Sequence, residues 1–600
     1  MTHRKDIQVL RGLSIVFVLL FHFEVSGAGN GFLGVDIFFV ISGFLMALLY
    51  DKDDISGFFG RRARRLLPAY FTTIVATALA AAWLTLPAEF TAVGSETMFA
   101  SFLVSNVGYW LADSYFDKTV FKPLLHLWSL GVEFQFFLLV PALAWLHRLW
   151  RPMLPLLMLA SLVACLLAVS VSSKTAFFLL PFRLWEFLAG AITAIVFTHR
   201  GAVPAGRNSW PGIVGLLVLL AIPLMGVEGE ARNVAYGHPG LFAVVVCAAT
   251  ALVLSHGLPA GLVNNWLGKV FQVLGKYSYS IYLVHFPVIV LHLYQPFSGT
   301  ILGTGGPLDA LAMLVLIASL SVAMYHLIEK PARNSNWSLP GMAALPGLAL
   351  IVVATGFGAQ RTAYTPSEMR IFSAISDEGT FRCGRLLRMR EPLALSCEIT
   401  DQLATPKGNI MLVGNSHANM IKAMFAQVAQ EMNYRVRFLV PNDPLMHGGS
   451  DPEDVINEAL RTKVTSLVLH YSPGAIEPAT VKKLVDLAAR HHLPVRFLTP
   501  VPVWNTHIPI ALWRNLRFGE PLPSLSIRDY QVANASLLSE LAAIHEDNFK
   551  IVNVGQVMCQ SECMYRDNTG TPFYLDDHHL TLTGSQQLSG LVRDVIRDLP

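Results

Sequence analysis

Hydrophobic and polar positions fall into two regimes along this chain. Up to about residue 358, long apolar runs alternate with short polar links; beyond it, short apolar runs alternate with amphipathic ones. Eleven runs of the first regime begin near Ile7, Phe32, Leu66, Leu125, Pro155, Phe177, Gly212, Gly240, Tyr279, Asp309 and Leu339. Each approaches the ~20 residues that cross a bilayer. The run at 7–24 opens on Arg4, Lys5 and Arg11, contains a histidine and lacks a small-residue cleavage site. It reads as a retained span, not as a removable signal. The stretch 92–111 is amphipathic and is expected at the membrane interface or packed in a loop. In the second regime, strand-like runs at 409–413, 435–440, 466–470, 495–499 and 549–552 alternate with helix-like runs at 418–432, 454–462, 479–491, 530–545 and 584–598. Such alternation predicts a parallel sheet with helices on both faces. The expected architecture is a multi-pass α-helical membrane domain followed by a three-layer α/β domain. Residues 1–335 carry ten spans, 336–358 the eleventh, 359–400 a cysteine-bearing linker and 401–600 the α/β domain.

Composition supports the membrane reading. Hydrophobic residues make up 53% of the 600 and charged ones 14%, against about a quarter charged in a soluble protein. A net charge of +3 is too small to suggest a nucleic-acid binder, and no long basic tail is present. With the N-terminus inside and eleven spans, the inner loops hold Arg61 to Arg65, His147 to Arg151, His199 to Arg207, Lys269 with Lys276, and Lys330 to Arg333. Basic residues cluster in all five, as cytoplasmic loops require. An odd number of spans places everything after about Gly358 outside the cytoplasm. Cysteine usage agrees. Cys165 and Cys247 lie in apolar runs, whereas Cys383, Cys397, Cys559 and Cys563 lie in the polar part. Four there fit disulfides in an oxidising compartment, paired Cys383–Cys397 and Cys559–Cys563, with free thiols or a zinc site as the alternatives.

Two groups of residues carry candidate chemistry. In the polar half, a strand-like segment ends at Gly414-Asn415-Ser416-His417 and a helix follows. A serine at such a turn is exposed and sits on helix N–H groups that stabilise an oxyanion. Asp576 and His579, three apart near the end of the chain, supply an orienting carboxylate and a base. A turn serine capping a helix is the plain alternative for Ser416 alone. In the membrane half, Arg11 and His22 lie within roughly 20° of one helix face and about 16 Å apart along it. His126 and Glu133 are seven apart, again on one face. Asp36 and Glu186 are buried acids that either act or merely pair with arginines.

These residues stand in motifs. Arg-x10-His (Arg11, His22), GVDIFFVISGF (Gly34 to Phe44), RRxRRxxPA (Arg61 to Ala69), HxWSLxVExQF (His126 to Phe136) and SYSIYLxHFP (Ser278 to Pro287) occur in this order over about residues 7–335. Together they resemble the acyltransferase-three family of membrane O-acyltransferases. Phe134 and Phe137 depart from the VEEQFY that related sequences often show, which leaves Glu133 as the acid carried over. GNSH with D-x-x-H, TP-x-P-x-W (Thr499 to Trp504) and YLDDHHLTLTG (Tyr574 to Gly584) resemble the SGNH domains fused to such acyltransferases.

The resemblance implies Ser416 as nucleophile, His579 as base and Asp576 as its partner. Its oxyanion hole would use the Ser416 N–H and a glycine, Gly448 or Gly449. The family's asparagine is missing after 466–470, where His470-Tyr471-Ser472 stands. In the membrane half it implies His22 and Glu133 as catalytic residues. Arg11, Arg61, Arg62, Arg64, Arg65, Asp36, Tyr282 and His285 would surround acetyl-CoA as acyl donor, with no metal. The implied activity is O-acetyl transfer across a bacterial inner membrane, from the cytoplasmic donor to an envelope polysaccharide or lipid-linked glycan: O-antigen, another envelope glycan or peptidoglycan. The N-terminus would be cytoplasmic and the SGNH domain periplasmic, among membrane lipids, with a homo-oligomer left open. The rivals are a glycan esterase on a membrane anchor and a glycan or acyl transporter with a fused hydrolase.

Overall fold

The computed structural model describes residues 4–111, 120–199, 209–229, 231, 233–335, 337, 339–379, 394–439, 444–446 and 449–599. It comprises two compact units, Met1–Thr362 and Ala363–Pro600.

In the first unit each of the eleven expected runs falls on a helix: α1 (Lys5–His22), α2 (Gly34–Leu49), α3 (Ile55–Leu84), α4 (Trp128–Leu149), α5 (Met153–Phe178), α6 (Leu180–His199), α7 (Trp210–Leu220), α8 (Leu241–His256), α9 (Trp266–His292), α10 (Pro307–Ala323) and α11 (Ala344–Ala363). Among the described residues, seven helical segments are long and apolar enough to cross a membrane: Gly31–Leu49, Ile55–Leu84, Leu125–Leu149, Met153–Phe178, Trp266–His292, Pro307–Arg333 and Ala344–Ala363. α7 and α8 are apolar but shorter. The chain is therefore a multi-pass membrane protein. The amphipathic stretch at 92–111 is divided between helices Pro87–Ser101 and Ser105–Leu111.

Close helix crossings position the polar groups of this unit. α1 packs along α9, and a side chain at Gly12 or Gly275 would collide with the backbone of Phe271 or Gln8 respectively. Without a hydrophobic drive between helices in lipid, small residues at such crossings let dispersion contacts and buried polar groups hold the pair. Asp36 and Glu186 do not stand alone. Arg183 lies 3.3 Å from Asp36 and 3.1 Å from Glu186, His238 lies 3.6 Å from Asp36, and the side chains of all four are at most 2% exposed. The guanidinium also lies 5.3 Å from the Phe39 ring. Removing one partner from such a group leaves an uncompensated charge, so this cluster locks α2 to α6.

The second unit is built on a six-stranded sheet in the order β1-β3-β2-β4-β5-β6, with β1 (Ser396–Glu398), β2 (Gly408–Gly414), β3 (Tyr434–Leu439), β4 (Ser466–His470), β5 (Val495–Leu498) and β6 (Phe549–Val552). All five expected strands are present and pair in parallel. The sheet is nevertheless mixed, because β1 pairs antiparallel with β3; three residues are too few for a period to show in the sequence. Met411, Val413, Leu467, Leu469, Val495 and Phe497 pack with Val455, Leu484, Val485 and Leu541 in one core. The last four come from α13 (Pro452–Arg461), α14 (Pro478–Arg490) and α16 (Ile527–Ala542). α12 (Ser416–Glu431) covers the sheet from β2, together with α17 (Leu582–Gln586) and α18 (Ser589–Arg597). α15 (Ile508–Phe518) was not expected from the sequence. Cys559 and Cys563 form the expected disulfide, and Cys165 and Cys247 are free and buried. Cys397 is disulfide-bonded, whereas Cys383 lies outside the described residues.

Candidate active site

After β3 the chain crosses β2 to form β4, so the crevice at the carboxyl ends of β2 and β4 is the sheet's switch point. Ligands of open α/β sheets bind there. Ser416 is the first residue of α12 at that point. Gly414 is required by the approach of β4, since a side chain there would run into the His470 carbonyl. Asn415 caps α12, its Oδ1 accepting from the His417 N–H at 3.1 Å.

The loop after β6 completes the site. The carbonyls of Asp577 and Asp576 accept from the N–H groups of Trp504 and Ile508 at 2.8 and 3.0 Å, so the segment from Thr499 clamps the loop. His579 Nδ1–H donates to Asp576 Oδ2 at 2.7 Å, which leaves Nε2 to accept the Ser416 hydroxyl proton at 2.8 Å. Asp576 Oδ1 also accepts from the backbone of His578 and His579 at 2.8 and 2.7 Å. Burial pushes the Asp576 pKa up, but the hydrogen bond and charge of His579 and these two N–H groups outweigh it and hold the carboxyl well below its usual range. Among the expected oxyanion groups, Gly448 lies outside the described residues. The Gly449 N–H is engaged by the Met446 carbonyl at 2.9 Å. The sequence offered Ser472 only as a residue standing where the family's asparagine is missing. Its Oγ accepts from Asn415 Nδ2 at 2.8 Å and its N–H donates to Asn415 Oδ1 at 3.3 Å, so its own hydroxyl proton is not used in that pairing.

His417 and His470 are both fully buried beneath the site. Burial first, then neighbouring His470, His579 and His578, push His417 down to about 2; burial pushes His470 down to about 4. Both imidazoles would titrate near 6.5 in the unfolded chain. The unfolded state therefore binds protons that the folded state refuses. Their contribution to stability is complete above pH ~6.5 and is lost as pH falls, toward ~4 for His470 and toward ~2 for His417, on the order of 1–2 kcal/mol from each at pH 5. Hydrogen exchange of the β2 and α12 peptides in the full chain is expected to show less protection at pH 5 than at pH 7.5, after correction for intrinsic rates. Equal protection would rule this linkage out.

In the membrane unit, Arg11, Arg62, Arg65, Ser42, Ser129, Glu133, Tyr279 and Tyr282 line one cavity of about 100 Å3. Glu133 accepts from the Ser42 hydroxyl at 2.5 Å. Arg61 turns away to Asp54 at 2.7 Å, and Arg64 to the Trp337 carbonyl at 3.3 Å. Asp36 belongs to the Arg183 cluster and not to the cavity lining. Beyond the cavity stand three buried histidines. Pro287 has no N–H, so the Leu283 carbonyl lacks its helical donor; His126 Nε2–H donates to it instead, at 3.1 Å. His285 Nδ1–H donates to the carbonyls of Tyr282 and Ile281 at 2.7 and 3.1 Å. A neutral His285 therefore accepts at Nε2, where His22 Nδ1 lies 3.1 Å away. His22 must donate from Nδ1, which makes Nε2 its basic nitrogen. Tyr282 connects cavity and histidines, its hydroxyl donating to the His126 carbonyl at 2.7 Å and lying 2.6 Å from Ser129 Oγ. Sequence reading did not single out Glu329, buried near Arg11 and accepting from Ser280 Oγ at 2.9 Å.

Residues 4–326 match a family described as an acyltransferase domain, and residues 383–594 match the SGNH domain fused to such domains. The chain belongs to the acyltransferase-domain family. The chain is similar to BcsY of Komagataeibacter xylinus, described as a membrane-bound transacylase, at 30% identity over 58% of this chain and 88% of that one. It is similar to the O-acetyltransferase OatA of Staphylococcus aureus at 27% identity over 55% of this chain and 57% of that one. For the peptidoglycan O-acetyltransferase OatA of Listeria monocytogenes the values are 28%, 55% and 56%. The match thus spans little more than half the length of either OatA. As a member of this family the chain is an acyltransferase, and the arginine-lined cavity and the histidines lie inside the family's own segment.

Proposed function

We propose that this acyltransferase moves an acetyl group from cytoplasmic acetyl-CoA to a hydroxyl of an extracytoplasmic envelope polysaccharide, with O-antigen, another envelope glycan and peptidoglycan as acceptors in falling order. The observation that carries the reading is the assembled Ser416–His579–Asp576 relay on a chain whose other half is a membrane acyltransferase. The OatA names support acetyl as the acyl group and a glycan as acceptor. The basic loops support a cytoplasmic N-terminus with residues beyond Gly358 on the outer side of an inner membrane.

The chemistry proceeds in two stations. Arg11, Arg62 and Arg65 meet the phosphates of the donor as fixed cations. Glu133 lies beside those arginines in the cavity wall, and His22 Nε2 faces the reaction as base or acyl acceptor. At the second station Ser416 Oγ attacks the arriving acetyl carbonyl while His579 Nε2 takes its proton and passes it to the leaving group. A sugar hydroxyl then attacks the acyl-serine. His579 takes that proton and returns it to Ser416 Oγ, which departs. The oxyanion is met by the Ser416 N–H, with the Ser472 hydroxyl in the place of the missing asparagine.

The test is transfer of label from acetyl-CoA to surface polysaccharide in cells expressing the chain. Both Ser416→Ala and His22→Ala are expected to abolish it. Transfer that survives both substitutions would overturn the scheme, and ester hydrolysis without any transfer would favour the esterase rival.

A further inference from the structure

We propose that His417, His578 and His579 form a zinc site that switches the acyl-transfer relay off. One ligating nitrogen from each of the three lies within 4.8 Å of the other two. Three independent features make this arrangement more than a cluster of histidines.

The first is His417 itself. Its ring is fully buried, and neither Nδ1 nor Nε2 has a hydrogen-bond partner among the described residues. Buried polar atoms are normally satisfied, so two on one ring call for a ligand. The second feature is the tautomer of the other two rings. His578 Nδ1–H donates to Asp577 Oδ1 at 2.6 Å, and His579 Nδ1–H donates to Asp576 Oδ2 at 2.7 Å. A carboxylate behind one nitrogen fixes the ring and leaves Nε2 as the lone-pair atom, as in metal-binding histidines. The third is ring placement. His417 and His578 are stacked with centroids 5.4 Å apart, and His579 lies 5.3 Å from His417. Modest ring rotations bring three nitrogens to the ~2.0–2.1 Å that zinc requires, with water as the fourth ligand.

The consequence follows from a single lone pair. His579 Nε2 is the atom that accepts the Ser416 proton at 2.8 Å. It cannot accept that proton and bind a metal together, so zinc occupancy and serine activation exclude each other. This inhibitory half rests on the Ser416–His579 reading above, whereas zinc binding does not.

The experiment uses the full chain in detergent, stripped of metal and titrated calorimetrically with zinc chloride while p-nitrophenyl acetate hydrolysis is followed over the same series. The expected result is one zinc per chain, at least a tenfold loss of hydrolysis on its binding, and full recovery with a chelator. His578→Gln is expected to weaken zinc binding at least tenfold and to abolish zinc inhibition, with metal-free hydrolysis unchanged. His417→Asn is expected to weaken binding equally. Absence of zinc uptake, or uptake unaltered by both substitutions, would overturn the site. Uptake that depends on His578 while hydrolysis stays undiminished would overturn the switch. A metal-free parent that hydrolyses no ester counts against the acyl-transfer reading, and the calorimetric titration of parent and variants then decides the site alone.

Discussion

Replacing Asp576 by Asn lowers acetyl transfer about 10^4-fold while leaving the second unit folded, the loss that a wrong tautomer causes in a serine–histidine–aspartate relay. The reason lies in who donates to whom. Asp576 accepts from His579 Nδ1 at 2.7 Å and from two backbone N–H groups at 2.7 and 2.8 Å. An Asn oxygen can keep the backbone donors, which hold the loop against the segment from Thr499. Its amide nitrogen then faces His579 Nδ1 and donates. The ring must place its proton on Nε2, where it can no longer accept from Ser416 Oγ. The base is lost although every heavy atom stays in place. Ser416→Ala is expected to cost about as much, and the double variant scarcely more, because the members of such a relay act as one unit. The measurement is kcat for ester hydrolysis and for transfer, with hydrogen exchange of the 572–580 peptide as the fold control. An Asn variant within tenfold of the parent would show that Asp576 does not set the tautomer.

The contacts among Ser416, His579 and Asp576 were legible in the sequence because each part has a local signature. A strand, a glycine and a serine mark one end, and a carboxylate three residues before a histidine marks the other. The five parallel strands were legible for the same reason, since each is a short apolar run with helical periodicity on either side. β1 was not, because three residues, one of them Cys397, carry no period. α15 was missed although Pro509 stands in its first turn, where proline is favoured. Long-range pairings left no trace at all. Asp36 and Arg183 are 147 positions apart, and their ion pair at 3.3 Å depends on how α2 packs on α6. The sequence could offer Asp36 only as an acid awaiting a role. The arginine run at 61–65 likewise reads as one cluster, yet helical rotation sends Arg62 and Arg65 into the cavity and turns Arg61 and Arg64 to other partners. Ser472 stood in the sequence only as a residue at the place of the family's missing asparagine, and its candidacy comes from the bond to Asn415 across the sheet's switch point.

His285→Phe is expected to lower the transfer rate about 10^2–10^3-fold without changing the KM for acetyl-CoA, and His285→Gln to recover most of that loss. The magnitude is that of a misplaced general base. The α1–α9 crossing at Gly12 and Gly275 sets His22 Nδ1 3.1 Å from His285 Nε2. Two carbonyls of α9 pin the His285 proton on Nδ1. His285 thus presents an acceptor to His22 and makes Nε2 of His22 the basic nitrogen. A phenylalanine fills the same volume but accepts nothing, so His22 loses the bond that fixes its ring and tautomer. A glutamine can place its Oε1 where Nε2 stood and take the same proton. Neither change touches Arg11, Arg62 or Arg65, so donor binding should hold. Acetyl-CoA consumption by the chain in proteoliposomes separates the outcomes. If phenylalanine and glutamine are equally impaired, or if KM rises in step with the loss, His285 serves packing and not the tautomer of His22. A purely structural role would move stability and rate together. A tautomer lock moves the rate alone, and a different side chain with the same acceptor restores it.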